Sequence, residues 1–124
     1  MSDQKRILIV EDSPAMRHLL SFALRRHDVE VSEAADGLAA LKMLAQHRYD
    51  LLFVDLNMPI LDGMKLIKRV REDPAMATTR ICVITTESAK ATEEHATALG
   101  ANHFLRKPIA RRDVEIVLAA VFPP

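Results

Sequence analysis

The chain has a single cysteine, Cys82, so no intramolecular disulfide can form and a cross-linked secreted fold gets no support. It has only three glycines, Gly37, Gly63 and Gly100. They stand far apart, so no glycine-rich loop exists to cradle a nucleotide's phosphates. Neither sign of charge is in excess: 17 Lys and Arg balance 17 Asp and Glu. A dedicated nucleic-acid binder needs a basic surplus, and none is expected here. No apolar run approaches the ~20 residues of a membrane helix. The polar start Met1-Ser2-Asp3-Gln4-Lys5-Arg6 lacks the apolar stretch of a signal peptide. His18, His27, His47, His95 and His103 show no metal-ligand spacing and read as surface or boundary residues. With 124 residues, 49% of them hydrophobic, the chain suits one domain spanning 1–124 in a reducing, cytoplasmic compartment.

Three short apolar runs are present: Ile7-Leu8-Ile9-Val10, Leu51-Leu52-Phe53-Val54 and Ile81-Cys82-Val83-Ile84. Bulky or β-branched and ending in polar residues, they suit strands buried on both faces. Val29-Glu30-Val31-Ser32 alternates, and His103-Phe104-Leu105-Arg106 is mixed, so both read as edge strands. The five runs start 22, 22, 30 and 22 residues apart, room for one strand and one crossover helix each. Met16, Leu19, Leu20, Ala23 and Leu24 form a helical stripe after Ser13 as N-cap and Pro14. Leu38, Leu41, Leu44 and Ala45 form a second. Leu66, Ile67 and Val70 form a third, which should stop before Asp73-Pro74. The segment from Ala89 to Leu99 is weakly apolar and stops at Gly100, and Val114, Val117, Leu118 and Val121 make the last stripe. These units predict an α/β fold: one doubly wound, five-stranded parallel sheet in order 2-1-3-4-5 with five helices, flavodoxin-like.

A sheet of this kind carries its site beyond the carboxyl ends of its strands. Those ends supply Glu11-Asp12, Asp55, Thr85 and Lys107. Two carboxylates ~5 Å apart repel by about 3 kcal/mol at an effective dielectric near 20, so such a cluster wants a cation. All-oxygen ligands at a shallow cleft suit Mg²⁺ beside a phosphate, and Lys107 adds a partner for a bound anion. A Mg²⁺ site and a lysine facing one central Asp fit phosphoryl transfer onto a carboxylate.

Asp55-Leu56-Asn57-Met58-Pro59-Ile60-Leu61-Asp62-Gly63, with Glu11-Asp12, Thr85 and Lys107-Pro108 at the other strand ends, resembles the receiver domain of two-component response regulators. Taken together the set is very specific, and the resemblance covers essentially the whole chain. It is most similar to the free-standing, CheY-like chemotaxis regulators, with only Pro123-Pro124 after the last helix. Asn57 and Glu87, each two residues past a key position, match that group. The resemblance implies Asp55 as phosphoacceptor for a sensor histidine kinase. It implies Mg²⁺ held by Glu11, Asp12, Asp55 and the Asn57 carbonyl, and Thr85, Thr86 and Lys107 around the phosphoryl group. It further implies a cis bond at Pro108, a switch pair of Thr85 and Phe104, and Asn57 and Glu87 tuning dephosphorylation. The output would be an altered face of the fourth helix, fifth strand and fifth helix that binds a partner protein, with the receiver itself a monomer. Glu11 is a variant of the commoner Asp and is expected to reach the metal through water. Thr86 replaces a smaller residue and is expected to narrow the site, and Phe104 lacks the hydroxyl of a Tyr.

One rival is a phosphate sink that only drains a kinase. Another is a small Mg²⁺-dependent phosphohydrolase with Asp55 as nucleophile, but this needs an acid where Asn57 stands and a cap domain. Turnover of small phosphate esters discriminates. Met16, Met43 and Met64 read as core filler, Cys82 as an inert core thiol, and Lys65, Lys68, Arg69 and Arg71 as a solvated face. Arg111-Arg112 open the last helix against its dipole, which sets a partner-facing role beside the ordinary reading of a solvated surface.

Overall fold

Strand β1 (Lys5–Val10) is followed by α1 (Pro14–Leu24), β2 (Val29–Ala34), α2 (Gly37–Gln46) and β3 (Leu51–Asp55). Then come α3 (Gly63–Glu72), a 3-10 turn at Pro74–Met76, β4 (Arg80–Thr85), α4 (Lys90–Leu99), β5 (His103–Arg106) and α5 (Arg111–Val121). This is a computed structural model, and it describes residues 4–123. Residues 1–3 and 124, on which the expectations for the two chain ends partly rest, lie outside the described residues.

The helices begin where the sequence supplies an acceptor. Ser13 Oγ accepts the Met16 N–H ahead of α1, with Pro14 in the first turn, and Asp36 and Asp62 accept from Ala39 and Lys65 ahead of α2 and α3. Asp73 closes α3 before Pro74. Ala89 and Ala110 offer no side-chain acceptor to α4 and α5, although Asp113 reaches back to the Ala110 N–H at 2.9 Å.

All pairings are parallel, and the sheet runs β2-β1-β3-β4-β5, as the two edge and three buried runs predict. Alternation along the central strands divides the core. Leu8, Val10, Leu52, Val54, Ile81 and Val83 pack with α2 and α3 on one face. Ile7, Ile9, Leu51, Phe53, Cys82 and Ile84 pack with α1 and α5 on the other. Cys82 is fully buried, and burial pushes its thiol well above the ordinary range, consistent with an inert role. Met16, Met43 and Met64 are half-buried against these clusters.

Three expectations are corrected. Leu19 and Leu38 are 49% and 48% exposed, and Ala45 is exposed as well; the core faces of α1 and α2 are narrower, carried by Leu20, Ala23 and Leu24 and by Gly37, Ala40 and Leu44. Arg71 does not belong to a solvated face. Its guanidinium donates to the Gly100 carbonyl at 3.0 Å, the Met76 carbonyl at 3.1 Å and Asn102 Oδ1 at 2.9 Å. Asn102 Oδ1 also accepts the Ile81 N–H at 2.9 Å, so the end of α4 is tied to α3 and β4. Gly100 has φ 121°, where a side chain is strained, and an added Cβ would lie 2.6 Å from Arg71 Cγ. The rest of α4 is lightly held, with Ala96 its one buried residue. Among the described residues no helix is long and apolar enough to cross a membrane.

Candidate functional site

Register brings the expected residues to one edge. Val10 pairs with Val54 and Asp55 with Ile84, so the residues just past β1 and β4 flank Asp55. Glu11 is fully buried, Asp55 is 3% exposed and Asp12 is exposed; one carboxylate oxygen from each lies within 4.8 Å of the others. Gly63 lets α3 start close behind this edge, since an added Cβ would meet the Asp55 carbonyl at 2.5 Å. The Asn57 N–H donates to Asp55 Oδ1 at 3.1 Å, which fixes one acceptor oxygen.

Lys107 reaches across from the end of β5. Its Nζ lies 2.5 Å from Glu11 Oε1 and 3.5 Å from Asp55 Oδ2. Burial alone would lower the Lys107 ammonium, but hydrogen bonds and Coulomb attraction to Glu11 and Asp55 hold it above its ordinary range. Asp12 is not so compensated. A hydrogen bond shared with Glu11, then burial and repulsion from Glu11, keep its carboxyl above the ordinary range. Three carboxylates against one ammonium leave two formal negative charges in excess. An all-oxygen set with that charge and one exposed member fits a hard divalent cation.

Residues 7–119 match the family described as the response regulator receiver domain. The chain belongs to this family.

The receiver domain is 30% identical over 123 residues to a probable chemotaxis protein CheY of Rhizobium etli, across 98% of this chain and 95% of that protein. It is 29% identical over 120 residues to the transcriptional regulatory protein ResD of Bacillus subtilis, across 97% of this chain but 49% of that protein, about half its length. The structure of the chemotaxis response regulator CheY4 of Vibrio cholerae superposes with a TM-score of 0.90 at 32% identity, covering 96% of this chain and 99% of that one. A putative response regulator from Chloroflexus aurantiacus gives 0.91 at 29% identity, covering 96% and 98%.

In this receiver domain Thr85 is fully buried, and its Oγ1 accepts the Glu87 N–H at 3.0 Å. Thr86 is exposed on the loop that follows. The Glu87 carboxylate accepts from Thr92 Oγ1 at 2.9 Å, and both Glu87 and Asn57 line an open groove between α3 and α4. Phe104 is half-buried against the core beside a cleft of about 210 Å³ lined by Glu87, Ala89, Glu93 and Arg106. The Lys107-Pro108 bond is cis.

Two features escaped the sequence. Ile60, 78% exposed at φ 70°, is a β-branched residue in the left-handed region, and no local signal marks it. Arg17 donates to the main-chain oxygens of Glu11 and Asp12. Its place in the first turn of α1 was a usable clue, because helical side chains lean toward the N-terminus.

The raised Asp12 carboxyl carries a sign. Its ionised form is disfavoured in the fold, so it carries no penalty below the ordinary carboxylate range and a cost that reaches its full size as pH rises through the raised value. Asp12→Ala should therefore melt about 2–4 °C above the wild type in chelator at neutral pH, a screened effect at an exposed group. The gain should vanish in acid, and Mg²⁺ should no longer stabilise the variant. A lower melting temperature in chelator at neutral pH would contradict the repulsion argument.

Proposed function

We propose that this receiver domain takes a phosphoryl group onto Asp55 from a phosphohistidine of a sensor histidine kinase, and that Mg²⁺ is its cofactor. The observation that carries the reading is Lys107 Nζ placed between Glu11 and Asp55 in a pocket with excess negative charge. Glu11, Asp12, Asp55 and the Asn57 carbonyl would hold Mg²⁺, which supplies charge neutralisation to the phosphoryl oxygens. An Asp55 oxygen forms the new O–P bond as the donor's N–P bond breaks, and the imidazole nitrogen keeps the electron pair and takes a proton from solvent. Lys107, the Thr85 hydroxyl and Thr86 contact the transferred group. Asn57 and Glu87 flank the approach of the water that later hydrolyses it. The test is phosphate uptake from acetyl phosphate, read by intact mass: one phosphoryl group with Mg²⁺ and none in chelator. Uptake undiminished by chelator overturns the metal-dependent reading.

The output in this reading is the face of α4, β5 and α5, presented by a monomer to a partner protein in chemotaxis-type signalling. The likeness to chemotaxis relatives along nearly their whole length supports that pathway. Thr85 would trade its bond from the Glu87 N–H for one with a phosphoryl oxygen, and Phe104 would turn into the space released. Phe has no hydroxyl to desolvate, a burial cost of about 1–3 kcal/mol for a Tyr without a partner. Phosphorylation then shifts an existing equilibrium. NMR of the Phe104 ring should change on adding beryllofluoride, and Thr85→Ala should suppress the change. An unchanged ring, or an equal change in Thr85→Ala, would uncouple the pair.

A further inference from the structure

The turn between β1 and α1 carries two of the three acids, and it is pinned from both sides. Arg17 Nη1 donates to the main-chain oxygens of Glu11 at 2.8 Å and Asp12 at 3.3 Å. The Nε of the same fork donates to Glu33 Oε1 on β2 at 3.2 Å, and the Arg17 side chain is 17% exposed. On the other side, the Ser13 N–H donates to Glu11 Oε2 at 3.2 Å. A trans peptide directs its C=O and N–H to opposite sides. The Asp12–Ser13 peptide is thus held at its oxygen by Arg17 and at its nitrogen by the Glu11 carboxylate. The preceding Glu11–Asp12 peptide is held at its oxygen by the same guanidinium. Glu11 then has one carboxylate oxygen committed to this turn and the other to Lys107.

We propose that Arg17 is the positioning residue of the acidic pocket: braced on Glu33, its guanidinium fixes two successive peptide planes and so sets the Glu11 and Asp12 carboxylates against Asp55. The proposal rests on the reading that this pocket holds Mg²⁺. Arg17 touches no ligand atom of that set; it acts through the main chain behind it. A role as mere charge predicts the opposite result, because removing a cation near a cation site strengthens metal binding. Lysine keeps the charge but offers a single ammonium, which cannot span a carboxylate and two carbonyls as the planar fork does.

The experiment is Mg²⁺ titration by calorimetry on the wild type, Arg17→Ala and Arg17→Lys, with each chain's melting measured in chelator to establish that it is folded. Outer-shell partners of metal ligands typically contribute 10–100-fold to affinity, so both variants should bind Mg²⁺ weaker by about that factor. In the metal-free variants the Ser13 amide should also exchange faster with solvent, a readout independent of any reaction. If Arg17→Ala does not fold, Arg17→Lys alone decides. Mg²⁺ affinity that is unchanged or tighter in a folded variant overturns the positioning role while leaving the metal reading intact. A wild type that binds no Mg²⁺ overturns both.

Discussion

Asp55→Asn is expected to take up no phosphate from acetyl phosphate and Mg²⁺ under conditions that load the wild type to stoichiometry. The amide offers no anionic oxygen to attack phosphorus, and the neighbouring acids cannot replace it. Both Glu11 oxygens are committed, one to Lys107 and one to the Ser13 N–H. Asp12 is exposed and lacks the Lys107 contact that Asp55 makes. Intact mass and peptide mapping read the result. Uptake at the wild-type rate in Asp55→Asn would show that the acceptor lies elsewhere.

Lys107→Met should produce the largest loss of stability of any single change at the site. It leaves the Glu11 carboxylate, fully buried, without its counter-ion. Breaking such a pair costs on the order of 3 kcal/mol, or roughly 10 °C in melting temperature, in chelator at neutral pH. The pH dependence identifies the cause. In the wild type the Lys107 pKa is raised, so its stabilisation is complete below the ordinary lysine range and is lost as pH rises through the raised value. In the variant the buried carboxylate carries an uncompensated desolvation cost, which acid removes by neutralising the charge. The gap between the two proteins should be widest near neutral pH and narrow on both sides. Mg²⁺ should restore more stability to the variant than to the wild type. Equal melting curves across that range would mean that a cation other than Lys107 pairs with Glu11.

The central strands were legible because a parallel strand covered on both faces has little choice but to be apolar, as Leu51–Val54 and Ile81–Ile84 are. The acid cluster was legible for a related reason, since an apolar run that ends in a carboxylate places that group at the sheet edge. Helix faces were less so. Periodicity locates the centre of a stripe and leaves its width open, so it counts Leu19 and Leu38 in a core they do not enter. The roles of Arg17 and Arg71 are hard to read for a different reason. Most of their partners are main-chain carbonyls, of Glu11, Asp12, Gly100 and Met76, and a carbonyl leaves no mark in the sequence.

The unequal hold on the two ends of α4 makes that helix a lever with a fulcrum. Gly100, clasped by Arg71 and followed by Asn102 on the β4 backbone, is the fixed end. The Ala89 end has no side-chain cap and is moored at the surface by the Thr92–Glu87 bond. Ten residues of helix make an arm of about 15 Å, so a swing of roughly 10° carries the Lys90 end about 2–3 Å and leaves Leu99 in place. An adjustment of the β4–α4 loop beside Thr85 thereby acts at the free end of the arm and fades along it, with the greatest travel next to the acidic pocket and the least at the far edge of the sheet.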